Sequence, residues 1–129
     1  MATSENATYV ILVVEDDADI RNLIHRMLHR SGYTVVTAEH GRAALTYLDA
    51  AAQLPCLMLL DLEMPVMDGR RVVSELSARR RLRSLPIVLM SANPAGKTVA
   101  RDLRTAGFLS KPFDRLALLT TVRTIQYAR

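Results

Sequence analysis

The feature that most constrains this chain is an alternation repeated five times. A short apolar run rich in branched residues is followed each time by a longer segment with helical spacing. The apolar runs are residues 9–14, 33–38, 56–60, 86–90 and 107–110. Most are continuous rather than alternating, which signals burial on both faces, as in parallel strands covered by helices. In the first helical segment Ile20, Leu23, Ile24, Met27 and Leu28 recur at intervals of three and four, behind Asp17 as N-cap and ahead of Gly32 as C-terminal stop. Residues 41–51 turn Ala44, Leu45 and Leu48 inward. Asp68-Gly69 opens a third helix with Val72, Val73 and Leu76 on one face. Residues 94–106 carry Val99 and Leu103, and the segment from Pro112 onward carries Leu118, Leu119, Val122 and Ile125. Five βα units with right-handed crossovers predict an α/β fold: a single doubly wound (βα)5 domain with a parallel five-stranded sheet and helices on both faces, for which the order 2-1-3-4-5 is the natural candidate. The most hydrophobic run, 56–60, should be central. The site of such a sheet lies at the carboxyl ends of its strands, where strands 1 and 3 part company.

The length of 129 residues fits one domain. Residues 1–7 are polar and small, and are expected to form a flexible N-terminus before a domain over 8–129. The first apolar run is too short for a secretion signal or a membrane span, so a soluble cytoplasmic protein is expected. The single cysteine, Cys56, excludes an internal disulfide and reads as a buried free thiol in a reducing compartment. Seventeen basic against thirteen acidic side chains leave a net charge of +4. Fifteen of the cations are arginine, and the simplest reading is surface charge rather than a nucleic-acid footprint. The run Arg79-Arg80-Arg81-Leu82-Arg83 reads as a solvated helix end.

The polar residues are not scattered. Strand 1 ends in Glu15-Asp16-Asp17, strand 3 in Asp61, strand 4 in Ser91 and strand 5 in Ser110-Lys111. In the predicted sheet these ends are neighbours, so carboxylates, a hydroxyl and an ammonium converge. Clustered carboxylates repel and need a cation. Oxygen donors without a Cys/His cluster point to Mg²⁺ rather than zinc. An ionised Asp61 beside such a cation can act as a nucleophile and form an aspartyl phosphate. Lys111 can then spread charge on the transferring group, and Ser91 can donate a hydrogen bond to it.

The motifs ILVVEDD at 11–17, DLEMPVMDG at 61–69, VLMSA at 88–92 and FLSKPF at 108–113 resemble, in this order, the receiver domains of bacterial response regulators, the CheY-like family of two-component signalling. The resemblance implies a receiver domain over 8–129, a phosphorelay switch rather than an enzyme that turns over other substrates. It implies Asp61 as phosphoacceptor, Lys111 and Ser91 as its catalytic partners, and Mg²⁺ held by Asp16 and Asp61 directly, by Glu15 through water and by the backbone carbonyl of Glu63. Ser91 and Phe108 would form the switch, and Glu63 and Asn93 would tune phosphate lifetime. The implied partners are a sensor histidine kinase or histidine phosphotransfer protein and a downstream protein whose identity the sequence leaves unknown. Monomer and homodimer both fit, and no contact with nucleic acid or membrane is expected. Gly107 runs into Phe108 sooner than in most of the family, which bears on the face made by helix 4, strand 5 and helix 5.

Two other functional classes compete with this one. A pseudo-receiver, an interaction module that never takes phosphate, usually lacks the acceptor or the acidic pair, and this chain keeps both. A haloacid-dehalogenase-like phosphohydrolase would explain Asp61-Leu62-Glu63, but its nucleophile normally sits on the first strand. His25 and His29 are spaced to share a metal but lack a third ligand. His40 before Gly41 reads as helix-entry chemistry, and the methionines as core or loop anchors.

Overall fold

The computed structural model describes residues 4–128. Five parallel strands form one sheet in the order β2-β1-β3-β4-β5. They are β1 (Val10–Val14), β2 (Thr34–Ala38), β3 (Leu57–Asp61), β4 (Ile87–Ser91) and β5 (Gly107–Ser110). Between and after them run α1 (Ala18–Arg30), α2 (Gly41–Ala50), α3 (Gly69–Ser77), α4 (Gly96–Asp102) and α5 (Arg115–Gln126). The doubly wound α/β fold is as the apolar pattern predicts, and the strand order is the candidate order that the family resemblance also implies. β1, β3 and β4 are buried almost throughout, because each is flanked by strands and covered by helices on both faces.

The strands split their side chains between two cores. Leu12, Val14, Met58, Leu60 and Leu89 face α2, α3 and α4, while Ile11, Val13, Leu57, Leu59, Val88 and Met90 face α1 and α5. β3 and β4 each reach one residue further than predicted and take in Asp61 and Ser91, since Leu62 N–H still donates to Met90 O at 2.9 Å and Lys111 N–H to Ser91 O at 2.9 Å. Asp17, His40 and Asp68 cap the starts of α1, α2 and α3, each accepting a backbone N–H three residues on.

Several expectations need correction. Within the N-terminal segment 1–7, Ser4–Ala7 forms a helical turn. Asn6 donates to Ser31 O at 2.9 Å, its own Oδ1 accepts from Gln126, and Ala7 O accepts from Thr34. Residues 1–3 lie outside the described part of the chain. Leu23, assigned to the inward stripe of α1, is 44% exposed. The apolar stripe of α1 is wider than the sheet can cover, and Leu23 lines an open apolar cleft with Met27, Pro112 and Phe113. Cys56 is free but only partly buried, ahead of β3 rather than in it. The helix expected over 94–106 shrinks to Gly96–Asp102, because Arg104 adopts φ 57° and Thr105 folds back onto Ala100 O.

The arginine run is no simple solvated helix end. Arg80–Leu82 is a 3₁₀ turn with Leu82 buried. Arg81 donates to Leu48 O at 3.0 Å and to Ala51 O, carbonyls at the end of α2 rather than of its own helix. Arg79 forks onto Asp49 at 2.9 and 3.2 Å and onto Glu75 at 3.0 Å. These cations meet the negative dipole end of a neighbouring helix. No described helix is long and apolar enough to cross a membrane.

Candidate functional site

The carboxyl ends of β1, β3, β4 and β5 meet at one edge of the sheet. Asp61 is the last residue of β3 and is 2% exposed. Glu15, just past β1, is 1% exposed, while Asp16 beside it is open to solvent. One carboxylate oxygen from each of Glu15, Asp16 and Asp61 lies within 4.8 Å of the others. Lys111 reaches in from the end of β5, with Nζ 2.5 Å from Glu15 Oε1 and 3.2 Å from Asp61 Oδ1. The Lys111–Pro112 peptide that follows is cis.

The start of α1 is built onto this corner. The Glu15 backbone N–H donates to Ala38 O on β2, its carbonyl accepts from Arg21 Nη1 at 2.9 Å, and its Oε2 accepts from Asp17 N–H at 3.2 Å. Glu15 is thus fixed at both main chain and side chain. Sequence reasoning missed Arg21, because a basic residue on the polar side of a helix carries no mark of the loop carbonyl it will meet.

Burial sets the electrostatics first. It pushes the Asp61 carboxyl up from 3.8 to about 7, the neighbouring Glu15 charge and hydrogen bond add to this, and Lys111 pulls the other way. Burial alone would lower the Lys111 ammonium, but its bonds to Glu15 and the charges of Asp61 and Glu15 outweigh that and hold it above its ordinary value. Three carboxylates against one ammonium leave the pocket short of positive charge. All the donors are hard oxygens, so a small divalent cation fits the set. The Glu63 carboxylate is not part of this cluster.

Ser91 stands apart from Asp61 on the neighbouring strand. It follows Ile87 and Leu89 on the α4 side of the sheet and is fully buried. Its hydroxyl lies 2.8 Å from both Glu63 carboxylate oxygens and accepts the Asn93 N–H at 3.0 Å. The Asn93 side chain is itself occupied by Ala95 N–H at 2.8 Å. Phe108 is half-buried on β5, opposite Leu89. Ser91 and Phe108 both crowd the missing side chain of Gly96: a Cβ there would lie 2.7 Å from Ser91 Cβ and 3.0 Å from Phe108 Cε1. Gly96 was not singled out in the sequence; the only signal was the helix-breaking cluster Asn93-Pro94-Ala95-Gly96. His25 and His29 stack at 5.8 Å between ring centroids on α1, away from the acidic corner.

Comparison with known proteins agrees with this architecture. A family model described as the response regulator receiver domain matches residues 11–123. The probable methanogenesis regulatory protein FilR2 of Methanothrix harundinacea is 35% identical over 92% of this chain and 81% of its own length. The chain spans about half the length of other curated relatives it matches. Among solved structures, chemotaxis protein CheY4 of Vibrio cholerae superposes with a TM-score of 0.81 at 30% identity, covering 90% of this chain and 97% of that one. The response regulator TrrA of Thermotoga maritima, solved with Mg²⁺ and BeF, gives 0.81 at 28% identity over 92% and 99%. With its five-stranded sheet, its acidic corner and its facing lysine, the chain belongs to the response regulator receiver domain family, the phosphorylation switches of two-component signalling.

Proposed function

We propose that Asp61 accepts the phosphoryl group, that Asp16 and Asp61 hold Mg²⁺ with the Glu63 carbonyl and, through water, Glu15, and that the phosphodonor is a phosphohistidine of a sensor kinase or phosphotransfer protein. The observation that carries this is the corner itself: three carboxylates within 4.8 Å, two of them buried, answered by one ammonium. An Asp61 oxygen attacks phosphorus, an O–P bond forms, and the N–P bond to the donor imidazole breaks with its electron pair staying on nitrogen. Bound Mg²⁺ would keep Asp61 ionised and offset the charge on the transferring oxygens. Lys111 already touches Asp61 and is placed to pair with an incoming phosphoryl oxygen.

Ser91 and Phe108 supply the output. A hydrogen bond from Ser91 to the phosphoryl group would move the hydroxyl toward Asp61, and Phe108, which shares the Gly96 gap with it, would repack. The domain therefore acts on its own aspartate and does not turn over small phosphate esters. This reading places it in the cytoplasm, where Cys56 stays reduced. Incubation with acetyl phosphate and Mg²⁺ should add one phosphoryl mass to the intact protein, and chelation should abolish it. A full adduct on Asp61→Asn protein would overturn the assignment.

A further inference from the structure

We propose that the Glu63 carboxylate is an internal competitor for the Ser91 hydroxyl, holding the switch in its resting position until a phosphoryl group displaces it. This rests on Asp61 being the phosphoacceptor and adds a regulating contact to that site. Ser91 has one proton to donate. It lies equidistant, at 2.8 Å, from the two oxygens of Glu63, and a lone pair already takes the Asn93 N–H. With its one proton shared with Glu63, the hydroxyl has no donor left for Asp61. An acid two residues past the acceptor thus presents to Ser91 what a phosphoryl group would present: an anionic oxygen pair on the α4 side of the sheet.

The contact is strong where it stands and easily moved. Ser91 is fully buried, so a charge-assisted bond there is worth more than in water. Glu63 itself is exposed, at the rim of an open groove shared with Asp68, Arg70 and Asn93. A new dianion on Asp61 would repel the carboxylate while competing for its donor, and the groove offers space and the Arg70 cation to receive it. Phosphorylation then gains only the difference between two anionic acceptors of one hydroxyl. The resting state is protected against weak or transient occupancy of the site.

Beryllofluoride with Mg²⁺ is the probe, titrated into wild type, Glu63→Ala, Ser91→Ala and the double variant, with amide NMR as readout. Without the probe, Glu63→Ala should shift the Asn93 amide, which donates to the freed Ser91 hydroxyl. With it, Glu63→Ala should bind about tenfold more tightly than wild type, the scale of one charge-assisted hydrogen bond. That gain should shrink to about twofold in the Ser91→Ala background. Glu63→Gln, which keeps an acceptor but loses the charge, should fall between. An equal gain with and without Ser91 would mean that Glu63 acts by charge alone and would overturn the competition. An unmoved Asn93 amide in Glu63→Ala would remove the contact itself. If wild type failed to bind the probe at all, the Asp61 reading would fall, and the competition with it.

Discussion

Replacing Asp61 with asparagine in metal-free protein removes the charge that the fold tolerates least. Burial, then Glu15, pushes this carboxyl up from 3.8 to about 7. The folded protein therefore holds the proton more tightly than the unfolded chain, and protonation favours folding. Below about pH 4 both states are protonated and the site costs nothing. As pH rises from about 4 to about 7, the wild type loses stability, and above 7 the loss is complete. A displacement of roughly three pH units, each equivalent to about 1.4 kcal/mol, sets a ceiling of roughly 4 kcal/mol. Asparagine also gives up the charge contact with Lys111 at 3.2 Å. The net gain should therefore be about 1–3 kcal/mol at pH 8, or roughly 3–10 °C in Tm for a domain of this size. Circular-dichroism melts of both proteins in chelator, from pH 4 to pH 8, measure it. The gain should fade as the pH falls, and Mg²⁺ should stabilise the wild type more than the variant. An unchanged or lower Tm at pH 8 would mean that Lys111 already balances the pocket. A gain of equal size at both ends of the range would mean that ionisation is not its source.

Four further outcomes follow from particular contacts. Val66 is fully exposed at φ 68°, a backbone region that branched residues resist, so Val66→Asn should raise stability by about 1 kcal/mol in urea unfolding; a loss would disprove the strain. Gly96→Ala should cost roughly 1–3 kcal/mol despite alanine's better helix propensity, because its Cβ meets Ser91 and Phe108; unchanged stability would show that α4 simply moves away. Arg81→Ala should cost about 1 kcal/mol by releasing the Leu48 and Ala51 carbonyls, whereas the exposed Arg80→Ala should stay within about 0.5 kcal/mol; equal effects would deny the cross-helix cap. With beryllofluoride, Ser91→Ala should lose most of the NMR shifts that the wild type shows around Phe108 and α4; the same pattern in both proteins would uncouple Ser91 from the switch.

The sequence by itself determined the architecture and the membership of the acidic corner. Short continuous apolar runs favour strands covered on both faces, and the helical spacing between them favours parallel crossovers. In a parallel sheet every strand delivers its last residue to the same edge. Glu15, Asp16, Asp61, Ser91 and Lys111 could therefore be placed together from their position after each run. The caps Asp17, His40 and Asp68 were legible for a similar reason, since each acts on a backbone N–H three residues away.

Only the tertiary structure decided which of those groups touch. Lys111 bonds Glu15 more closely than Asp61. Arg81 caps a helix that ended thirty residues earlier in the chain. Leu23 stays outside because the stripe on α1 is wider than the sheet beneath it. The Glu63 side chain, expected only to tune phosphate lifetime, bonds Ser91 across a loop and a helix. Periodicity records which way a side chain faces and where the chain turns. It holds no record of which two side chains, carried on separate crossovers, arrive within 3 Å of each other, and at this site that arrival decides whether the Ser91 hydroxyl is available or already taken.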